Sequence, residues 1–100
     1  MSYRNIVLNE QGEAADNSAF GSYGGFVVAH IECGPSNRQI TVDGYVDGAK
    51  VVSATAADNS APGVISSPSQ SFTMPVPPGS NWKVVAKPAK GVQVWWAARF

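Results

Sequence analysis

His30 and Cys33 stand three residues apart in the stretch FVVAHIEC. An imidazole beside a thiol is the pairing that makes a nucleophilic cysteine. The spacing argues against it here. The stretch is β-branched and apolar, as a strand would be, and residues i and i+3 of a strand face opposite sides of the sheet. His30 is the only histidine and Cys33 the only cysteine. One chain therefore supplies neither a zinc site made of histidine and cysteine nor an internal disulfide. His30 reads as a part-buried structural side chain, and Cys33 as a small buried hydrophobe.

The remaining chemistry is thinner. Glu32 and Asp43 are the acids that fall within strands, and nothing in the sequence sets them up as the carboxylate pair of a hydrolase. GSYGG is glycine-rich but neither follows a strand in a βα unit nor ends in Lys-Ser/Thr, so it is no phosphate cradle. The hexapeptide AADNSA occurs at Ala14–Ala19 and again at Ala56–Ala61, which would allow Asp16 and Asp58 to share a calcium ion. Calcium wants six to eight oxygens, and neither segment offers a closely spaced run of carboxylates. Shifting one copy onto the other does not preserve the apolar pattern, so the repeat reads as turn chemistry used twice. No catalytic residue, metal or cofactor is assigned, and the chain is expected to be non-enzymatic.

Residues suited to binding are easier to find. In Val92–Phe100, Val92, Val94, Trp96, Ala98 and Phe100 form one apolar face, which sends Trp96 to the core. Trp95 then points outward with Gln93, Ala97 and Arg99. In FVVAHIEC, Val27, Ala29, Ile31 and Cys33 supply a core face, while Phe26, Val28, His30 and Glu32 make a second face that is half apolar. A sheet wet on one side is more polar than that, so another protein surface is expected to cover it. Trp95, Arg99, Phe26, Val28 and His30 are the candidate interface residues. Thr41, Asp43 and Tyr45, alternating outward along Gln39–Val46, join Trp95 as a candidate glycan-binding set offering stacking and polar contacts. Lys83, Lys87 and Lys90 are spaced charges without interleaved exposed aromatics, so nucleic acid is not an expected partner.

The elements that must hold these residues are short strands separated by turns. They run over Arg4–Asn9, Phe26–Cys33, Gln39–Val46, Lys50–Ala54, Ser71–Val76, Asn81–Lys87 and Val92–Phe100, with a further short piece around Val64–Ile65. Gln11–Gly25 reads as a long loop with at most one irregular strand, so residues 1–25 form a strand and a candidate interaction arm. Asp47–Gly48 is a strong two-residue hairpin signal. Seven or eight strands at this spacing predict one all-β domain over residues 1–100, an antiparallel sandwich or jelly roll.

Charge is balanced overall but not along the chain. Residues 1–58 carry −4 and residues 59–100 carry +4, an asymmetry that can steer one copy onto another or be accidental. The N-terminal stretch lacks the apolar run of a signal peptide and no run is long enough to span a membrane, so a soluble protein made in a cytoplasm is expected.

The run FTMPVPPGSNWKVVAKPAKGVQVWWAARF resembles the closing segment of small β-sandwich domains in tailed-bacteriophage fibres and related virion appendages. The matching residues are Val76, Pro77, Pro78, Gly79, Trp82, Trp96 and Arg99. RQITVDGYVDGAKVVSATA is similar to the hairpin of such domains, with Val46, Asp47 and Gly48 in the place of their "VNG"-like residues. The resemblance spans roughly Phe26 to Phe100. It implies a virion structural protein, made in the host cytoplasm, that acts as a capsid decoration (cement) or fibre subunit. Its expected partners are its own copies, as a trimer, and the major capsid or other virion proteins. The alternative, from a different class, is a lectin or host-surface adhesin that binds a surface glycan.

Overall fold

The structure, a computed structural model, describes residues 3–16, 24–34, 37–59, 68–88 and 90–98. Among these residues the chain forms eight strands: β1 (Tyr3–Ile6), β2 (Glu13–Asp16), β3 (Gly25–Glu32), β4 (Gln39–Val46), β5 (Ala49–Ala57), β6 (Ser69–Val76), β7 (Trp82–Lys87) and β8 (Val92–Ala98). They build two four-stranded antiparallel sheets, in the orders β1-β8-β3-β6 and β2-β7-β4-β5. The fold is all-β.

Alternation along each strand explains why the sheets pack face to face. In β3, Val27, Ala29 and Ile31 are fully buried, and in β4 Ile40 and Val42 are. These join Met74, Val84 and Val94 in one core cluster drawn from both sheets. Burying a side chain of this size contributes about 1.5–3 kcal/mol. Trp82 from β7 and Trp96 from β8 stack across the two layers, with ring centroids 6.0 Å apart and planes at 15°. The backbone of β3 makes room for that pair, because a Cβ on Gly25 would lie 2.7 Å from a ring carbon of Trp96.

The Asp47–Gly48 signal forms the expected β4–β5 hairpin. Both residues have positive φ, 50° and 83°, as a primed turn requires. Ahead of the turn the register shifts between Gly44 and Tyr45: Gly44 pairs with Val52 but Tyr45 pairs with Lys50. Val51 is thus left unopposed as a bulge and stays 57% exposed.

Several boundaries differ from the sequence expectation. The first strand ends at Ile6 rather than Asn9, because Asn9 accepts the Gly12 N–H at its carbonyl and the Gln11 and Glu13 N–H groups at Oδ1, closing a turn. Within residues 1–25 the two described strands are built into the sheets. β1 pairs with β8 and β2 pairs with β7, each over four residue pairs. Ala14 is buried, and Ile6 and Leu8 pack on the core cluster. β2, four residues long, carries too few alternations to be read from the sequence as more than an irregular strand. The expected piece at Val64–Ile65 lies outside the described residues.

Both copies of AADNSA begin as strand ends rather than turns, in β2 and at Ala56–Ala57 of β5. Their rows place them far apart. Asp16 stands in the row of Trp82, Val46 and Ala49, whereas Asp58 follows Ala57, which pairs with Gln39. They occupy diagonally opposite corners of one sheet, so the repeat does not build one shared site.

Candidate interaction faces

Directly opposed residues of an antiparallel pair point to the same side, so the registers lay out each outer face as rows. On the β1-β8-β3-β6 sheet one row reads Tyr3, Ala97, Phe26, Pro75 and the next Asn5, Trp95, Val28, Thr73. Beyond them the face turns polar, with Gln93, His30 and Ser71, then Glu32 and Ser69. Of the candidate interface residues, Trp95, Phe26, Val28 and His30 share this face. Arg99 lies outside the described residues.

Trp95, Phe26 and Val28 are half-buried, and Tyr3 is 60% exposed. Ala97 points outward yet is fully buried. It is a methyl group set between the larger Tyr3 and Phe26 on its flanking strands, a placement that alternation alone does not reveal. Tyr3 and Pro75 extend the apolar surface and were missed by sequence reading, since their membership depends on pairing register. His30 Nε2 lies 4.0 Å from Glu32 Oε2 on the same strand and face.

The outer face of the β2-β7-β4-β5 sheet is different. Its rows read Ala15, Lys83, Tyr45, Lys50; then Glu13, Val85, Asp43, Ser53; then Lys87, Thr41, Thr55. The Ser53 hydroxyl donates to Asp43 Oδ1 at 2.6 Å, and the Thr41 and Thr55 hydroxyls bond each other at 3.1 Å. Lys83 Nζ sits 5.4 Å from the Tyr45 ring centroid. This is a charged and hydroxyl-bearing surface of the kind water covers.

The four-residue glycan set does not hold together. Thr41, Asp43 and Tyr45 lie on this second outer face, while Trp95 lies on the outer face of the other sheet, with the core between them. Thr41 and Asp43 already have partners on β5. The two parts of the chain that carry the linear charge asymmetry are interleaved in space: β6, β7 and β8 lie beside strands from β1 to β4 within the two sheets.

Strand parity separates the imidazole and the thiol as expected. Cys33 is buried, with Sγ 3.6 Å from the Arg38 carbonyl oxygen, whereas His30 faces outward. Among the described residues no group of three His, Cys, Asp or Glu side chains could hold a metal ion.

Hollows adjoin these faces, two of them beside the β4–β5 hairpin. One, of about 420 Å³, opens where β5 and β6 meet and is lined by Val46, Val51, Val52, Thr73, Met74, Pro75 and Pro77. The bulge that frees Val51 forms part of its wall. The other, of about 330 Å³, lies at the β4–β5 turn and is lined by Tyr45, Asp47, Gly48, Asn81, Trp82 and Lys83. Here the Asp47 N–H donates to the Asn81 carbonyl, and the Asn81 N–H donates to Asp47 Oδ1, both at 3.0 Å. These contacts latch the β4–β5 and β6–β7 turns together. The backbone bond from Asn81, aided by the Ser80 side chain, holds the Asp47 carboxyl below its ordinary pKa.

No protein-family model matches the chain, and no curated protein matches it in sequence.

Proposed function

We propose that the chain is a non-catalytic structural subunit of a bacteriophage virion, a capsid decoration (cement) or fibre protein. It assembles with copies of itself, as a trimer, through the outer face of the β1-β8-β3-β6 sheet. One observation carries the contact: the two rows containing Tyr3, Phe26, Pro75, Trp95 and Val28 put apolar and aromatic side chains side by side across all four strands. With strands about 4.8 Å apart and rows about 7 Å apart, these two rows cover roughly 260 Å² in plan. A stable contact needs about 800 Å² per partner, so the rows form its dry centre and the polar residues around them its rim.

Support for the virion setting comes from two sources. The resemblance over Phe26–Phe100 points to phage appendage domains. The strand orders β1-β8-β3-β6 and β2-β7-β4-β5 favour a jelly roll, an architecture of viral capsid and lectin domains.

The test is native mass and sedimentation of the protein alone, alongside the Trp95→Ala and Val28→Glu variants. Wild type should be oligomeric at micromolar concentration. Losing Trp95 should weaken assembly by about 2–4 kcal/mol if it is a hot spot, and Val28→Glu should abolish it through a buried unpaired charge. Particles from the source should lose the variants' occupancy in parallel. A wild-type monomer at ~100 µM would refute the self-assembly, since contacts that weak lie outside the range of stable assemblies.

A further inference from the structure

We propose that the hollow at the β4–β5 turn binds a saccharide carrying a carboxylate. The hollow lies on the sheet opposite the assembly face, so this inference does not rest on the assembly reading. Its volume of about 330 Å³ falls within the range of small-ligand sites and accommodates a single pyranose ring.

Its lining has the chemistry for such a ligand. Tyr45 brings an aromatic ring to the hollow, and the apolar C–H face of a pyranose stacks on such rings. One cation sits at that ring, Lys83 on β7 with Nζ 5.4 Å from the centroid, and a second, Lys50, is paired with Tyr45 in the register of β5, next to the hollow rather than in its lining. Neither lysine pairs with a carboxylate among the described residues. A ligand carboxylate, held away from Asp47, whose Oδ1 is engaged by the Asn81 N–H on the other wall, would pair with Lys83 and draw its ammonium off the ring, clearing it for the sugar.

The opposite wall is already ordered. Asp47 and Asn81 are fixed by their reciprocal bonds, so little conformational entropy is lost on binding. The Asn81 side-chain amide offers both donor and acceptor to ring hydroxyls. Trp82 also lines the hollow, but its indole is turned into the core against Trp96 and takes no part in the site. At Gly48 a Cβ would meet nothing within 4 Å, so the mouth is open beside the turn.

The experiment is an NMR titration of the ¹⁵N-labelled protein with sialyllactose and with trigalacturonate, using lactose and maltotriose as neutral counterparts. Saturable shifts are expected at the amides of Tyr45, Asp47, Gly48, Asn81 and Lys83, with at least one acidic saccharide. The neutral sugars should bind about tenfold more weakly, and added salt should narrow that gap. Tyr45→Ala and Lys83→Gln should each reduce affinity about tenfold while preserving the spectrum elsewhere. The proposal is overturned by shifts that do not saturate at about 20 mM of either acidic saccharide, weaker than any useful site. Shifts mapping elsewhere, or equal binding of the neutral sugars, overturn it as well. The wild-type mapping decides the matter even if a variant fails to fold.

Discussion

Trp95 and Trp96 are chain neighbours with opposite fates. Trp96 is 3% exposed and stacks on Trp82 inside the core, while Trp95 is half-buried on the outer face beside Asn5 and Val28. Replacing Trp96 by alanine should cost about 3–5 kcal/mol in chemical denaturation, the range for truncating a large core aromatic. Trp95→Ala should lower the monomer's stability by no more than about 1 kcal/mol, since its loss is felt mainly at the surface. Equal losses at the two positions would contradict this division. The opposite fates follow from strand parity, so they were legible in VQVWWAA alone. The burial of outward-pointing Ala97 was not, because it depends on the size of Tyr3 and Phe26, residues remote in sequence.

At the scale of the element, the β4–β5 hairpin is the best-specified piece of the chain. Asp47 and Gly48 both adopt positive φ, so Gly48→Val should destabilise by about 1–2 kcal/mol through the left-handed penalty, measured by thermal or urea unfolding. Asp47 adds a pH dependence. Its folded pKa is depressed below the ordinary 3.8, so its charge contributes stability above that value. The contribution is lost as pH falls through the lower, folded-state pKa. Asp47→Asn keeps an oxygen acceptor for the Asn81 N–H and tolerates the same backbone. It should flatten the acid limb of the stability curve, whereas Asp47→Ala should also be less stable at neutral pH. An unaltered acid limb in Asp47→Asn would show that the latch does not depend on charge. The turn itself was readable from the Asp-Gly pair. Its partner Asn81 was not, being 34 residues away and brought close only by the β6–β7 connection.

For the molecule as a whole, the alternating strands made an all-β chain legible, but not the assignment of strands to sheets. GFVVAHIE and QITVDGYV announce themselves by apolar alternation, whereas EAAD carries no β-branched residue and is a strand because Trp82–Val85 pairs with it. The same topology interleaves the two parts of the chain that carry opposite net charge in the linear sequence. Central strands β3, β8, β4 and β7 have neighbours on both sides. Their amides should exchange slowest with solvent, and those of β1, β2, β5 and β6 earlier. Uniform protection would contradict the sheet order. The greasy rows from Tyr3 to Pro75 remain the feature this architecture leaves unexplained unless another surface covers them. Trp82 and Trp96 are buried, so Trp95 alone among the tryptophans is half-exposed in the single chain, and collisional quenching of tryptophan fluorescence by acrylamide reports on it. Quenching should fall as wild-type protein is concentrated into its oligomer, and stay high in Val28→Glu at every concentration; quenching in wild type that is high and independent of concentration would contradict the covered face.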